Sequence, residues 1–273
     1  MKSSLHLKNS IKSVAIGSFD GVHIAHIKLI ERAESVVVIE RGDAVLTPGW
    51  KRSLYTKKPT FFYLLEKIKH LSPKEFIQML NRDFPNLEKI VVGYDFAFGK
   101  GKAGGIDTLK KHFRGTIEVI DEVKLDGISI HSRVIREYIK SNNIEVANRM
   151  LGRYYAIDGE HKKGQGRGAK EMVATINLKV INYTLPKGVF AVNAKINNNF
   201  YKAIAFLGNR LTTDGNFCVE VHILDSFSEK IRGRVWIEFI RFIRENRKFD
   251  TIFMLKKQIL DDIKRAKEIL IKH

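Results

Sequence analysis

Two histidines, His23 and His26, stand three residues apart just after the glycine-bearing run Gly17-Ser18-Phe19-Asp20-Gly21-Val22. Residues three apart share one face of a helix. The apolar stretch Ser13–Ile16 before them reads as a strand, and Leu29, Ile30 and Ala33 after them recur at helical spacing. The pair therefore falls where a helix should begin, and backbone N–H groups at a helix start favour an anion. Two imidazoles beside that start make a candidate phosphate site; the plainer alternative is a strand–helix turn with two surface histidines. Arg133 and Arg136 carry guanidinium forks that suit phosphate oxygens. The run Gly93-Tyr94-Asp95-Phe96-Ala97-Phe98-Gly99 sets aromatics among glycines, which can hold a planar ring at close range to backbone. Its plainer alternative is a loop with Phe96 and Phe98 in the core. Glu220 alternates with Phe217, Val219, Val221 and Ile223, so it lies on the other face of a strand. A carboxylate there can accept a proton or join a cross-strand salt bridge. Gly164-Gln165-Gly166-Arg167-Gly168 offers flexible backbone for phosphates.

The elements that must position these groups differ between the two halves of the chain. In the first half Ser35–Ile39, Lys89–Val92 and Thr116–Ile120 are short apolar strands, and Phe61–Ile68 has helical spacing. Ser72-Pro73-Lys74-Glu75 is a helix start with a capping box, followed by a buried face of Phe76, Ile77, Met79 and Leu80. Strands alternating with helices imply an α/β fold with a doubly wound parallel sheet. Ligands of such sheets lie beyond the carboxyl ends of the strands, where Gly17 and Gly93 both fall. After a helix at Ile144–Leu151 the period becomes two. Phe190, Val192, Ala194 and Ile196 alternate with Val189, Ala191, Asn193 and Lys195, and Val235, Ile237 and Phe239 continue the pattern. Strands separated by turns at Asn197–Asn199 and Asp214-Gly215 suggest an antiparallel β-barrel. A last helix, with Asp250 as expected N-cap, carries Ile252, Leu255, Ile259, Ile263, Ala266 and Leu270 on one stripe against the barrel. The expected domains are residues 1–151 and 152–273.

The chain has 273 residues, 44% of them hydrophobic, enough for a packed core in one large or two ordinary domains. No apolar run approaches the roughly 20 residues that span a bilayer, and Met1–Ile11 has no secretory pattern. Cys218 is the lone cysteine, which excludes an internal disulfide and a cysteine metal cluster. A soluble cytoplasmic protein is expected, with no membrane partner. The net charge of +18 suits an enzyme for highly phosphorylated small molecules or a nucleic-acid binder. The basic residues are spread, without a long block or an aromatic–basic RNA signature, so a nucleic-acid partner is not expected. Oligomeric state has no signal in the sequence.

The His23-Ile24-Ala25-His26 segment resembles the His-x-Gly-His signature of nucleotidylyl transferases, and the longer Gly17–His23 string resembles the bacterial bifunctional riboflavin kinase/FAD synthetases. Ala25 stands where the signature has glycine. Gly93, Asp95, Phe96 and Phe98 match that family's flavin-side pattern Gly-x-Asp-Phe-x-Phe-Gly. Ser132 and Arg136 match its Ile-Ser-Ser-Thr-x-Ile-Arg segment, which starts a helix on the ATP phosphates, while His131 and Arg133 replace a serine and the threonine. The family's Thr-Phe-x-Pro-His-Pro element is absent, and Glu40-Arg41-Gly42-Asp43-Ala44-Val45-Leu46-Thr47-Pro48 runs in its place. Leu151-Gly152-Arg153-Tyr154-Tyr155 resembles the family's interdomain junction. Thr175 and Asn177 keep two positions of its Pro-Thr-Ala-Asn motif, Glu220 matches its catalytic base, and Arg244 matches an arginine that contacts the flavin or product phosphate.

The resemblance implies ATP-dependent phosphorylation of riboflavin to FMN, then adenylylation of FMN to FAD with release of pyrophosphate. It implies Mg²⁺ held near Thr175 and Asn177, ATP as co-substrate, and riboflavin, FMN and FAD as substrates and products. Glu220, His23, His26 and Arg136 would be catalytic. Gly17, Phe19, Asp20, Gly21, Ser132, Arg133, Gly164 and Gly166 would bind nucleotide, and Gly93, Asp95, Phe96, Phe98 and Arg244 the flavin side. Two other readings stay open: a riboflavin kinase whose altered N-terminal site no longer transfers adenylyl, and a basic nucleic-acid-binding protein.

Overall fold

The first half of the chain is built on five short strands, of which the three central ones are mostly buried. The structure, a computed structural model, describes residues 7–162, 175–209 and 217–272. Strands β1 (Ser13–Gly17), β2 (Ser35–Glu40), β3 (Thr60–Leu64), β4 (Lys89–Gly93) and β5 (Thr116–Ile120) form a sheet of order β3-β2-β1-β4-β5. All its pairings are parallel. Ala15, Val36, Val38 and Val91 pack with Leu29 and Ile30 of α1 (Ile24–Glu31) on one face. On the other, Val14, Ile16, Val37, Ile90 and Val92 meet α2 (Pro73–Asp83) and α3 (Ile106–His112). Near-continuous apolar strands are what a sheet covered on both sides requires. The strand order reverses between β1 and β4, the place where such sheets open a crevice for ligands. Gly17 ends β1 and Gly93 ends β4.

Helix α2 forms as its sequence dictates. Ser72 Oγ accepts the Glu75 N–H at 3.3 Å and the Glu75 carboxylate accepts the Ser72 N–H at 2.7 Å, with Pro73 at the first helical position. The run Phe61–Ile68 departs from the helix expected there. Its first part belongs to β3, and only Leu65–Ile68 makes a helical turn. Pairing decides this: β3 runs in register with β2 from Val36↔Thr60 to Glu40↔Leu64, and Thr60, Phe61, Phe62 and Tyr63 suit a pleated surface.

A short hairpin of β6 (Lys124–Leu125) and β7 (Ile128–Ser129) precedes α4 (Ser132–Lys140) and α5 (Ile144–Leu151). By internal contacts the chain divides into two units, Met1–Val134 and Ile135–His273. The second is built on a closed antiparallel barrel of β8 (Tyr155–Lys162), β9 (Ile176–Val180), β10 (Gly188–Ile196), β11 (Asn199–Asn209), β12 (Phe217–Ile223) and β13 (Arg234–Arg244). Phe190, Val192, Ala194, Val219, Val221, Ile237 and Phe239 are buried on alternate positions, as their period of two requires. Val189 and Ala191, on the opposite face of β10, are buried too, because α6 (Ile252–Leu270) covers them with Ala266 and Leu270.

That last helix differs from expectation at its start. Thr251 rather than Asp250 is the N-cap, its Oγ1 accepting the Met254 N–H at 3.2 Å. The expected stripe is buried only toward its end: Ala266 and Leu270 are covered, whereas Ile252 is 57% exposed. Gly164, Gly166 and the turn at Asp214-Gly215 lie outside the described residues.

Candidate functional site

The loop between β1 and α1 is strained and tied down. Phe19 (φ 52°) and Val22 (φ 41°) are left-handed beside Gly21 (φ 85°), an unfavourable region for a β-branched residue. Asp20 holds this shape: its buried carboxylate accepts the N–H groups of Leu46 (2.9 Å), Thr47 (3.0 Å) and Val45 (3.3 Å). Ser132 Oγ, more than a hundred residues on, donates to the Asp20 carbonyl at 2.8 Å. The fold thus brings together two segments that the sequence pointed to separately.

His23 is the N-cap of α1, its Nδ1 accepting the His26 N–H at 3.3 Å. With Nδ1 an acceptor, a neutral ring carries its proton on Nε2, a donor suited to a phosphate oxygen. His26 stacks on His23 with ring centroids 3.5 Å apart, and Phe19 meets the His26 ring edge-on at 5.1 Å. Ala25 lies in the first turn of α1. Arg133 is exposed on α4; Arg136 is half-buried one turn on from Ser132.

Beyond β4, Gly93 is followed by exposed Tyr94 and Asp95 and half-buried Phe96. Phe98 is 6% exposed and belongs to the core, 5.3 Å from Phe76. It stacks under Phe96 at 5.4 Å, and paired backbone bonds of 2.9 Å between Phe98 and Gly104 close the loop. Tyr94 Oη lies 3.3 Å from His131 Nε2. Glu122 accepts from Ser129, which holds its carboxyl below the ordinary range.

On the barrel, register decides which groups meet. Asn177 of β9 is directly opposite Glu220 of β12, Glu220 opposite Phe206 of β11, Phe206 opposite Val189 of β10, and Val189 opposite Arg244 of β13. Directly opposed residues share a face, with β-carbons about 5 Å apart. Ile176, Leu178, Val219 and Val221 take the other face and are buried. Asn177, Glu220 and Arg244 therefore line one outer row. Thr175 is exposed and immediately precedes β9. Arg244 is aimed by Asp262 of α6: Nε reaches Oδ2 at 2.9 Å and Oδ1 at 3.0 Å, and Nη2 reaches Oδ2 at 2.7 Å. Nη1 donates to the Glu245 carbonyl at 2.8 Å.

Comparison with known proteins follows the same division. A riboflavin kinase family model matches residues 151–270, and an FAD synthetase family model matches residues 59–134. A bifunctional riboflavin kinase/FMN adenylyltransferase of Listeria monocytogenes is 29% identical over 92% of this chain and 90% of its own length. That of Pseudomonas fluorescens is 27% identical over 93% and 91%. The chain is thus similar along most of its length to bifunctional riboflavin kinase/FMN adenylyltransferases, with a family model for each activity matching a separate part. A crystal structure described as a macrolide-efflux protein from Streptococcus pneumoniae shares the fold with a TM-score of 0.82 at 25% identity, covering 95% of this chain and 96% of that one. Among the described residues no helix is long and apolar enough to cross a membrane. Asn177, Glu220 and Arg244 fall inside the riboflavin kinase range, and the 93–104 loop and Ser132 inside the FAD synthetase range.

Two charged residues escaped the sequence reading. Arg52, fully buried, donates from Nη1 to the Ser18 carbonyl at 2.6 Å, from Nε to the Gly49 carbonyl at 3.0 Å, and from Nη2 to the Glu40 carboxylate. Burial lowers its pKa, and the negative charge of Asp20 opposes the shift. Asp262 is 2% exposed on an otherwise apolar helix face. Its signal was present: it stands three residues after Ile259 and four before Ala266, inside the stripe.

Proposed function

We propose that this chain makes FMN from riboflavin and ATP, and then FAD from FMN and a second ATP. We assign residues 152–273 to the kinase step and 1–151 to adenylyl transfer. The observation that carries the reading is the cross-strand pair of Glu220 and Asn177. It sets a carboxylate beside an amide oxygen on an outer barrel face, inside the matched riboflavin kinase range.

In the kinase step Glu220 takes the proton of the riboflavin 5′-hydroxyl as its oxygen attacks the γ-phosphorus of ATP, and ADP leaves. Thr175 and Asn177 offer oxygen donors of the kind Mg²⁺ takes together with substrate phosphates. They would hold the ion, which would draw charge from the phosphate oxygens when bound. Asp262 fixes the Arg244 guanidinium for contact with the flavin or the new phosphate.

In the second step an FMN phosphate oxygen attacks the α-phosphorus of ATP and pyrophosphate departs. This nucleophile is already anionic, so positioning and charge stabilisation do the catalysis. The Nε2–H of His23, together with His26 and Arg136, serves the α-phosphate and the departing pyrophosphate. Gly17, Phe19, Asp20 and Gly21 shape the nucleotide loop, with Ser132 and Arg133 at the start of α4. Gly93, Asp95 and Phe96 receive the flavin, and Phe98 supports Phe96 from beneath. A cytoplasmic setting suits the lone Cys218.

Incubating the purified chain with riboflavin, ATP and Mg²⁺ and separating the flavins over time tests this reading. FMN should rise first and FAD after it. Absence of FMN would refute the kinase assignment; FMN that never becomes FAD, even when supplied directly with ATP, would refute the second.

A further inference from the structure

We propose that Arg52 is a positioning residue for adenylyl transfer, holding the Ser18–His23 loop in shape through the Ser18 carbonyl. The inference rests on the adenylyltransferase reading above and deepens it.

Arg52 ends a short 3₁₀ turn, Gly49–Arg52, in the stretch that follows β2. Each of its three side-chain nitrogens has a different partner: Nε the Gly49 carbonyl, Nη1 the Ser18 carbonyl, Nη2 the Glu40 carboxylate. Glu40 is the last residue of β2, so one guanidinium ties a strand end, its own turn and the loop after β1. Burying a guanidinium is unfavourable unless such partners are supplied. Ser18 precedes Phe19, the first left-handed residue of the loop, and His23 closes that loop as the cap of α1. Asp20 grips the same stretch from the other side, through the backbone of residues 45–47. Segment 40–52 therefore clamps the loop twice, once by a cation on a carbonyl and once by a carboxylate on three amides. This segment stands where the family's His-Pro element is absent. Lysine has a single nitrogen and cannot serve three separated acceptors in fixed directions. Without the tie at Ser18, the strained Phe19–Val22 backbone can relax and carry the stacked histidines away from the α-phosphate.

The test uses the full chain with Arg52→Lys, and with the double variant Glu40→Gln/Arg52→Met, which removes the buried cation and its anionic partner together. Riboflavin phosphorylation, FMN adenylylation and thermal unfolding are measured for each. Displacement of reacting groups by about 1 Å lowers turnover roughly 100-fold. We expect that loss in kcat for FAD formation in both variants, with the kinase rate unchanged. Full adenylylation by Arg52→Lys overturns the inference alone. So does a loss confined to KM, or a parallel loss of both activities, which marks a purely structural ion pair. A wild-type chain that makes no FAD from supplied FMN overturns the adenylyltransferase reading and the inference with it.

Discussion

Asp262 gives Arg244 a direction. A guanidinium held by three contacts of 2.7–3.0 Å to one carboxylate cannot swing freely, so its direction on the barrel is fixed. Asp262→Asn keeps the shape but removes the charge. Breaking a largely buried pair costs about 3 kcal/mol, and less here because the Arg244 side chain keeps 17% exposure and some hydration. We expect lower resistance to denaturant and a raised KM for riboflavin or a lowered kcat in phosphorylation. Unchanged kinetics would show that the pair serves packing alone. At this scale the sequence was legible where spacing carries the message. His23 and His26 share a helix face by arithmetic, and Glu220 alternates against valines. Arg52 was not legible, because its partners Glu40 and Ser18 lie 12 and 34 residues away and no local pattern marks a buried cation.

Among the elements, β10 and β13 approach closely beside Arg244. A β-carbon at Gly188 would lie 2.5 Å from the Arg244 carbonyl oxygen, and Gly188 has φ 137°. Gly188→Ala must therefore part the two strands or distort the turn, at roughly 1–3 kcal/mol. Urea unfolding should detect that loss, together with weaker riboflavin phosphorylation from a displaced Arg244; a variant of wild-type stability would contradict this packing. Strand β13 also carries Glu238, opposite Asn193 and Ala156. Burial raises its pKa, against the opposing effects of Lys195 and the Asn193 hydrogen bond. Its native state thus holds a proton more tightly than the unfolded chain. The associated stability is complete below the unfolded value of about 4.3 and is lost as pH rises through the raised native value. Glu238→Gln should raise the melting temperature at neutral pH and leave it unchanged near pH 4. An equal melting temperature at neutral pH would count against a desolvated carboxyl. Element types were legible where local chemistry and burial agree, as in the α2 capping box and the alternating barrel strands. The 61–68 run misled because an edge strand and an amphipathic helix place similar apolar residues, and only pairing with β2 decides between them. The start of α6 misled by one residue because Asp250 and Thr251 are both good caps.

At the scale of the whole molecule, a parallel sheet and a closed barrel each carry a candidate site of their own. The crevice at the sheet's switch point follows from strand order, and the Asn177–Glu220–Arg244 row from barrel register. The Asp20 and Arg52 contacts fall within the first unit and the strand pairings of the row within the second, so the two activities should be separable within one chain. The most direct measurement supplies either riboflavin or FMN, with ATP and Mg²⁺, to the full-length His26→Ala and Glu220→Gln proteins and separates the flavins. His26→Ala should convert riboflavin to FMN and stop there. Glu220→Gln should leave riboflavin unphosphorylated yet turn supplied FMN into FAD. If either substitution in a folded protein abolishes both conversions, the account of two separate sites is wrong.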